Sequence, residues 1–81
     1  MSTVTVQLFA SYAEAFGNSR IEVPLQDGGT VADLINSIRS LPAGSQLPDF
    51  PRVAVNRKLA GGDQPVVSSD EVALIPPVAG G

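Results

Sequence analysis

Eighty-one residues, 43% hydrophobic and 16% charged, give room for one small soluble domain with a modest core that must be well patterned. Cysteine and histidine are both absent, which excludes a disulfide, a thiolate nucleophile, an iron–sulfur or thiolate zinc site and the usual imidazole base. A net charge of −3 with five Lys and Arg argues against a nucleic-acid partner, and no apolar run approaches the ~20 residues of a membrane span.

The opening MSTVTVQLFA carries no basic region and no cleavage pattern, so a cytoplasmic location is the expectation. Within it VTVQLF alternates, with Val4, Val6 and Leu8 on one face and Thr5 and Gln7 on the other, as in a half-buried strand. A short helical turn follows in ASYAEAFGNSR, punctuated by Gly17 and Asn18. IEVPL alternates again through Ile21, Val23 and Leu25; Pro24 has no N–H for a ladder, which puts this strand at or near an edge.

DGGTVADLINSIRSLP is the strongest helix signal. Thr30 is a natural N-cap with Asp33 three residues on, and Val31, Leu34, Ile35, Ile38 and Leu41 give one apolar stripe. Pro42 forbids continuation. AGSQLPDFP reads as a loop. RVAVN is a third strand, followed by a short KLA piece that the Gly61–Gly62 turn interrupts. DQPVVSSD is irregular, with a turn at Ser68 to Asp70. The last strand, EVALIP, is mostly apolar through Val72, Leu74 and Ile75, which suggests burial on both faces and a central position. This order, with one main amphipathic helix, argues an α+β fold with the helix packed on one face of a sheet.

The scattered carboxylates offer no pair spaced for acid–base work and no metal cluster. Lys58, the sole lysine, and Arg57 read as a solvated pair on a turn, with docking against an acidic patch as the sharper alternative. Two internal glycine pairs, at positions 28–29 and 61–62, connect periodic segments and serve turns. Gly80 and Gly81 connect to nothing in this sequence. Pro76 and Pro77 before them favour extended backbone, and residues 77–81 reach at most ~17 Å. The division expected is a domain over 1–76 and an extended tail over 77–81. A Gly–Gly tip, lacking side chains, fits a channel too narrow for other residues and delivers a carboxylate. That carboxylate is a poor electrophile until an ATP-dependent partner converts it to a mixed anhydride. The tail reads as a substrate presented to other proteins.

The ordered set VQLFA, VAVN, DEVALIPPV and terminal AGG resembles the small subunit of molybdopterin synthase over nearly the whole chain. That resemblance implies a ubiquitin-like β-grasp fold and a non-catalytic sulfur carrier with no bound cofactor. It implies that a ubiquitin-activating-type enzyme uses ATP to adenylate Gly81, which becomes a thiocarboxylate. Its sulfur then passes, in the large subunit, to cyclic pyranopterin monophosphate, within a heterotetramer of two small and two large subunits. Partner contacts carried over from the family fall on Phe9, Leu59 and Ile75. Ile75 stands where the family commonly has an aromatic residue, and the arginine common soon after the first strand is missing. From the residues themselves Phe9 and Ile75 are equally readable as core. Other readings are a carrier for thiazole, cysteine or tRNA sulfur, a ubiquitin-like modifier joined to lysines through Gly81, and a binding domain whose tail has no chemistry.

Overall fold

The computed structural model describes residues 2–47 and 51–76. The alternating N-terminal segment forms β1 (Ser2–Leu8), a short helix α1 (Ala10–Phe16) follows, and β2 (Arg20–Leu25) pairs antiparallel with β1. The main helix α2 (Val31–Arg39) leads through a 3₁₀ helix (Pro42–Gln46) to the hairpin of β3 (Arg52–Val55) and β4 (Lys58–Ala60). Strand β5 (Val72–Ile75) completes a mixed sheet in the order β2-β1-β5-β3-β4, parallel to β1 and antiparallel to β3. This is the β-grasp arrangement. The apolar β5 is central and the Pro24 strand is an edge, as expected, but β5 is buried on one face only: Val72 and Leu74 enter the core, whereas Ala73 and Ile75 are half-buried on the other face, which α2 does not cover.

One face of the sheet carries the core. Val4, Val6, Leu8, Val23, Val53, Val72 and Leu74 are each at most 2% exposed, and Val31, Leu34 and Ile38 of α2 join them in one cluster. Burying each such side chain contributes roughly 1.5–3 kcal/mol before the cost of ordering. The expected stripe stops short of Leu41, which is 38% exposed. Pro42 drives Leu41 to extended backbone (φ −74°, ψ 154°), so the helical spacing no longer applies to it. The segment expected as a loop after it winds instead into the 3₁₀ helix, with Pro42 at its start, and Leu47 beyond it joins the core.

The first turn of α2 is fully satisfied, which explains where this helix begins. Thr30 and Asp33 form the reciprocal capping box: the Thr30 hydroxyl accepts from Asp33 N–H at 3.4 Å, and Thr30 N–H donates to Asp33 Oδ2 at 3.0 Å. The other open N–H groups are met by the loop after β4. Val31 N–H donates to the Gln64 carbonyl and Ala32 N–H to the Gly62 carbonyl, both at 2.9 Å. Val66 N–H returns a bond to the Gly29 carbonyl at 3.0 Å, and Val66 is buried. The irregular DQPVV segment is therefore a strap across the start of α2.

α1 buries Tyr12 and ends at Gly17, whose φ of 72° is the left-handed cap that glycine adopts without strain. The Tyr12 hydroxyl is buried with no hydrogen-bond partner among the described residues, and burial raises the phenol above its ordinary 10.0.

Candidate docking face and tail exit

Among the described residues no helix covers the sheet face opposite α2. By strand register Gln7, Ala73, Ala54 and Leu59 form one row across β1, β5, β3 and β4, about 14 Å long at ~4.8 Å per strand. In the next row Arg52 faces Ile75, and Phe9, one residue beyond the Leu8–Leu74 pair, comes alongside Ile75. Phe9 keeps extended backbone (φ −127°, ψ 152°), so the alternation of β1 runs through it. The two alanines leave a low floor between Leu59 and the Phe9–Ile75 pair.

Neither Phe9 nor Ile75 belongs to the core. Phe9 is 46% exposed, Ile75 is half-buried, and Leu59, at 69%, is the most exposed large hydrophobic side chain among the described residues. Three apolar side chains drawn from distant parts of the sequence thus lie on one open face. Exposed apolar groups clustered in this way mark surfaces that are covered by something else. Ile75 ends the central strand and Pro76 follows it directly, half-buried. The chain therefore leaves the sheet beside Phe9 and Ile75. Pro77, Gly80 and Gly81 lie outside the described residues.

Leu59 is held in place by a hairpin whose turn needs no glycine. Asn56 and Arg57 both take left-handed backbone (φ 53° and 71°), the twist that two-residue hairpins favour, and Val55 pairs with Lys58 across it. Asn56 tolerates that conformation and its side chain bonds through both its nitrogen and its oxygen: Nδ2 donates to Asp70 Oδ1 at 3.0 Å, and Oδ1 accepts from Glu71 N–H at 3.0 Å. The Val67 N–H donates to Asp70 Oδ2 at 2.9 Å; with the Asn56 amide it holds the Asp70 carboxyl below its ordinary 3.8. Sequence reasoning missed this role of Asn56, although asparagine between two strand segments is itself a turn signal. Arg57 meets Glu71 at 3.4 Å on the surface, where such a pair contributes little, and Lys58 is exposed.

Among the described residues no group of three or more acidic, histidine or cysteine side chains is placed to hold a metal. Among the same residues no helix is long and apolar enough to cross a membrane. The sequence model of the ThiS family matches residues 6–81. The chain belongs to the ThiS family. A molybdopterin synthase sulfur carrier subunit of Dictyostelium discoideum is 35% identical to this ThiS-family chain over 80 residues, covering 94% of this chain and 93% of that protein. Among solved structures, SAMP1 (small archaeal modifier protein 1) of Haloferax volcanii is 29% identical with a TM-score of 0.81, covering 99% and 100% of the two chains. A chain of the Amycolatopsis orientalis BexX/CysO complex is 25% identical with a TM-score of 0.70, covering 96% and 99%. The ubiquitin-like β-grasp fold expected from the sequence is the fold of this ThiS-family member.

Proposed function

We propose that this protein is a sulfur carrier, the small, non-catalytic subunit of a molybdopterin synthase, acting through a thiocarboxylate on Gly81. The observation that carries the reading is the exit geometry: central strand β5 runs straight into Pro76 beside the exposed Phe9 and the half-buried Ile75. Its likeness over nearly full length to a sulfur carrier subunit supports reading that exit as the route of a sulfur-bearing terminus. A docked partner covering Phe9, Leu59 and Ile75 would receive residues 77–81 at a fixed entry point, so that positioning of the terminus costs little further entropy.

In the proposed cycle an adenylating enzyme joins the Gly81 carboxylate to the α-phosphate of ATP and releases pyrophosphate. A sulfur donor attacks the acyl carbon, AMP leaves, and a thiocarboxylate remains. The large synthase subunit then takes the tail and passes the sulfur to cyclic pyranopterin monophosphate, two carriers serving each dithiolene, in a heterotetramer of two small and two large subunits. The protein itself holds no cofactor in this scheme; ATP belongs to the activating enzyme.

Intact mass of the purified protein first establishes that Gly81 carries the free carboxylate. Incubation with the cognate adenylating enzyme, ATP and a sulfur donor is then expected to raise the mass by the exchange of one oxygen for sulfur. An unchanged mass with a competent enzyme counts against every carrier reading. Gly80→Ala and Gly81→Ala are expected to fold normally and to be charged and discharged poorly, because a methyl group obstructs a channel shaped for a bare backbone. The likeness to a small archaeal modifier protein favours one second reading, conjugation of Gly81 to lysines of other proteins. High-mass conjugates formed in cells, lost on Gly81 deletion, would mark that use.

A further inference from the structure

We propose that Arg20 and Arg52 form a basic rim flanking the tail exit, which docks against carboxylates bordering an apolar recess on the adenylating partner; this rests on the carrier reading above. The topology supplies the placement. β1 and β5 are parallel neighbours, and β2 and β3 run antiparallel to them on either side. The starts of β2 and β3 therefore lie at the same end of the sheet as the finish of β5. Arg20 starts β2 and Arg52 starts β3, so the arginines stand on the two sides of the strand that leads to residues 77–81.

Both arginines belong to the open face: Arg20 pairs with Gln7 and Arg52 with Ile75. Both are exposed, and among the described residues neither is in an ion pair. The acids Glu22, on the same face of β2, and Glu71, just before β5, lie toward the other end, and Glu71 is engaged by Arg57. The exit end of the face thus carries two cations unpaired among the described residues, with Glu22 one row behind Arg20. At the other end Arg57 and Lys58 stand among Asp70 and Glu71, on a chain whose net charge is −3. An acidic protein that must present one particular end gains orientation from such a placement, since rim charges act on encounter and register more than on final affinity. Three strand spacings, about 14 Å, separate β2 from β3, and Arg20 stands one row, about 7 Å, back from Arg52, so the partner's carboxylates are expected about 16 Å apart.

The test uses the full chain with Arg20→Glu and Arg52→Glu, singly and together, and the paired Arg20→Lys, Arg52→Lys variant as a charge-preserving control. Circular dichroism checks the fold. Association with the purified cognate adenylating enzyme is followed by stopped flow at several salt concentrations. The double reversal is expected to slow association about tenfold at low salt, a difference that shrinks as salt rises, with the lysine pair close to the parent. In the charging assay KM rises while kcat holds. Unaltered association and salt dependence in the double reversal, an equal loss in the lysine pair, or no association by the parent would each overturn the proposal. A parent that is charged normally while the double reversal behaves like it sinks the rim and leaves the carrier standing. Arginine-dependent binding without any thiocarboxylate does the opposite.

Discussion

Asn56 and Glu71 are bonded to each other twice: the Asn56 backbone N–H donates to the Glu71 carbonyl at 2.7 Å, and the Asn56 side-chain oxygen accepts from the Glu71 N–H at 3.0 Å. The pair ties the β3–β4 hairpin, which carries Leu59, to the entrance of β5, which carries Ile75. Two members of the open face are therefore held in register by a turn residue outside the strands. Asn56→Ala removes the side-chain bonds and places a Cβ residue without compensation at φ 53°, for an expected loss of about 1–2 kcal/mol. Asn56→Gly keeps the backbone and loses only the bonds, so its loss is expected to be smaller. Urea unfolding of the three proteins measures both contributions, and equal losses would show that backbone conformation contributes nothing.

The same cluster sets an acid response. Asp70 is held below its ordinary pKa first by the Val67 N–H and then by the Asn56 amide. A carboxyl whose folded pKa is lowered contributes stability that is present above its unfolded value, 3.8, and is lost as pH falls through the folded one. In Asn56→Ala the Asp70 carboxyl is expected to titrate closer to 3.8, and part of the acid dependence below that pH should vanish. Carbon-detected NMR titration of Asp70 reports the first, and unfolding at several acid pH values the second.

Much of this architecture is legible locally. The Val4–Val6–Leu8 alternation, the Thr30–Asp33 box and Pro24 at an edge each follow from neighbours within a few residues. What was not legible depends on elements far apart in sequence. Local alternation already sets Phe9 opposite Leu8 and Ile75 opposite Leu74; whether that second face is covered depends on where the helices pack, and no local pattern states that. The strap over α2 was hidden for a similar reason: Gln64 and Gly62 give only carbonyl oxygens to the helix, and any residue type can do so. Arg20 and Arg52, read singly, are ordinary surface charges; only the strand order sets them on either side of β5.

Tyr12 offers a clean optical probe, being the only tyrosine in a chain without tryptophan. Its phenol is raised by burial, so the folded protein resists its ionisation. The sign follows: the fold's advantage is whole below the unfolded value near 10.0 and is lost as pH rises from there through the raised folded value. Phenolate absorbance in a pH titration is expected to appear later in the folded protein than in denaturant. Tyr12→Phe removes a buried hydroxyl without a partner among the described residues and should be neutral or stabilising by up to about 1 kcal/mol. A clear loss of stability would reveal an acceptor for that hydroxyl.

Gly44 is buried against the end of α2. A Cβ there would press on the Ile38 carbonyl and lie 2.7 Å from the Arg39 Cα, both backbone, so nothing flexible can yield. Gly44→Ala is expected to cost about 1–3 kcal/mol through displacement of the 3₁₀ helix. Thermal unfolding tests this, and an unchanged midpoint would mean that the segment shifts freely.

Leu59 and Leu74 separate docking from stability on one sheet. They belong to adjoining rows of the hairpin and central strand, but Leu74 is fully buried and Leu59 is 69% exposed. Truncating Leu74 to alanine leaves a cavity in a packed core, for an expected loss of 2–5 kcal/mol on the order of other buried leucines. Truncating Leu59 removes little that folding had buried, so stability should stay within about 0.5 kcal/mol of the parent. If the open face is the docking surface, Leu59→Ala should weaken binding to the adenylating partner by tenfold or more, as removal of a central apolar anchor does, roughly 1.4 kcal/mol or above. Binding measured by calorimetry on the folded variant decides the matter. An unchanged affinity would place the interface elsewhere and leave the exposure of Leu59 without a use.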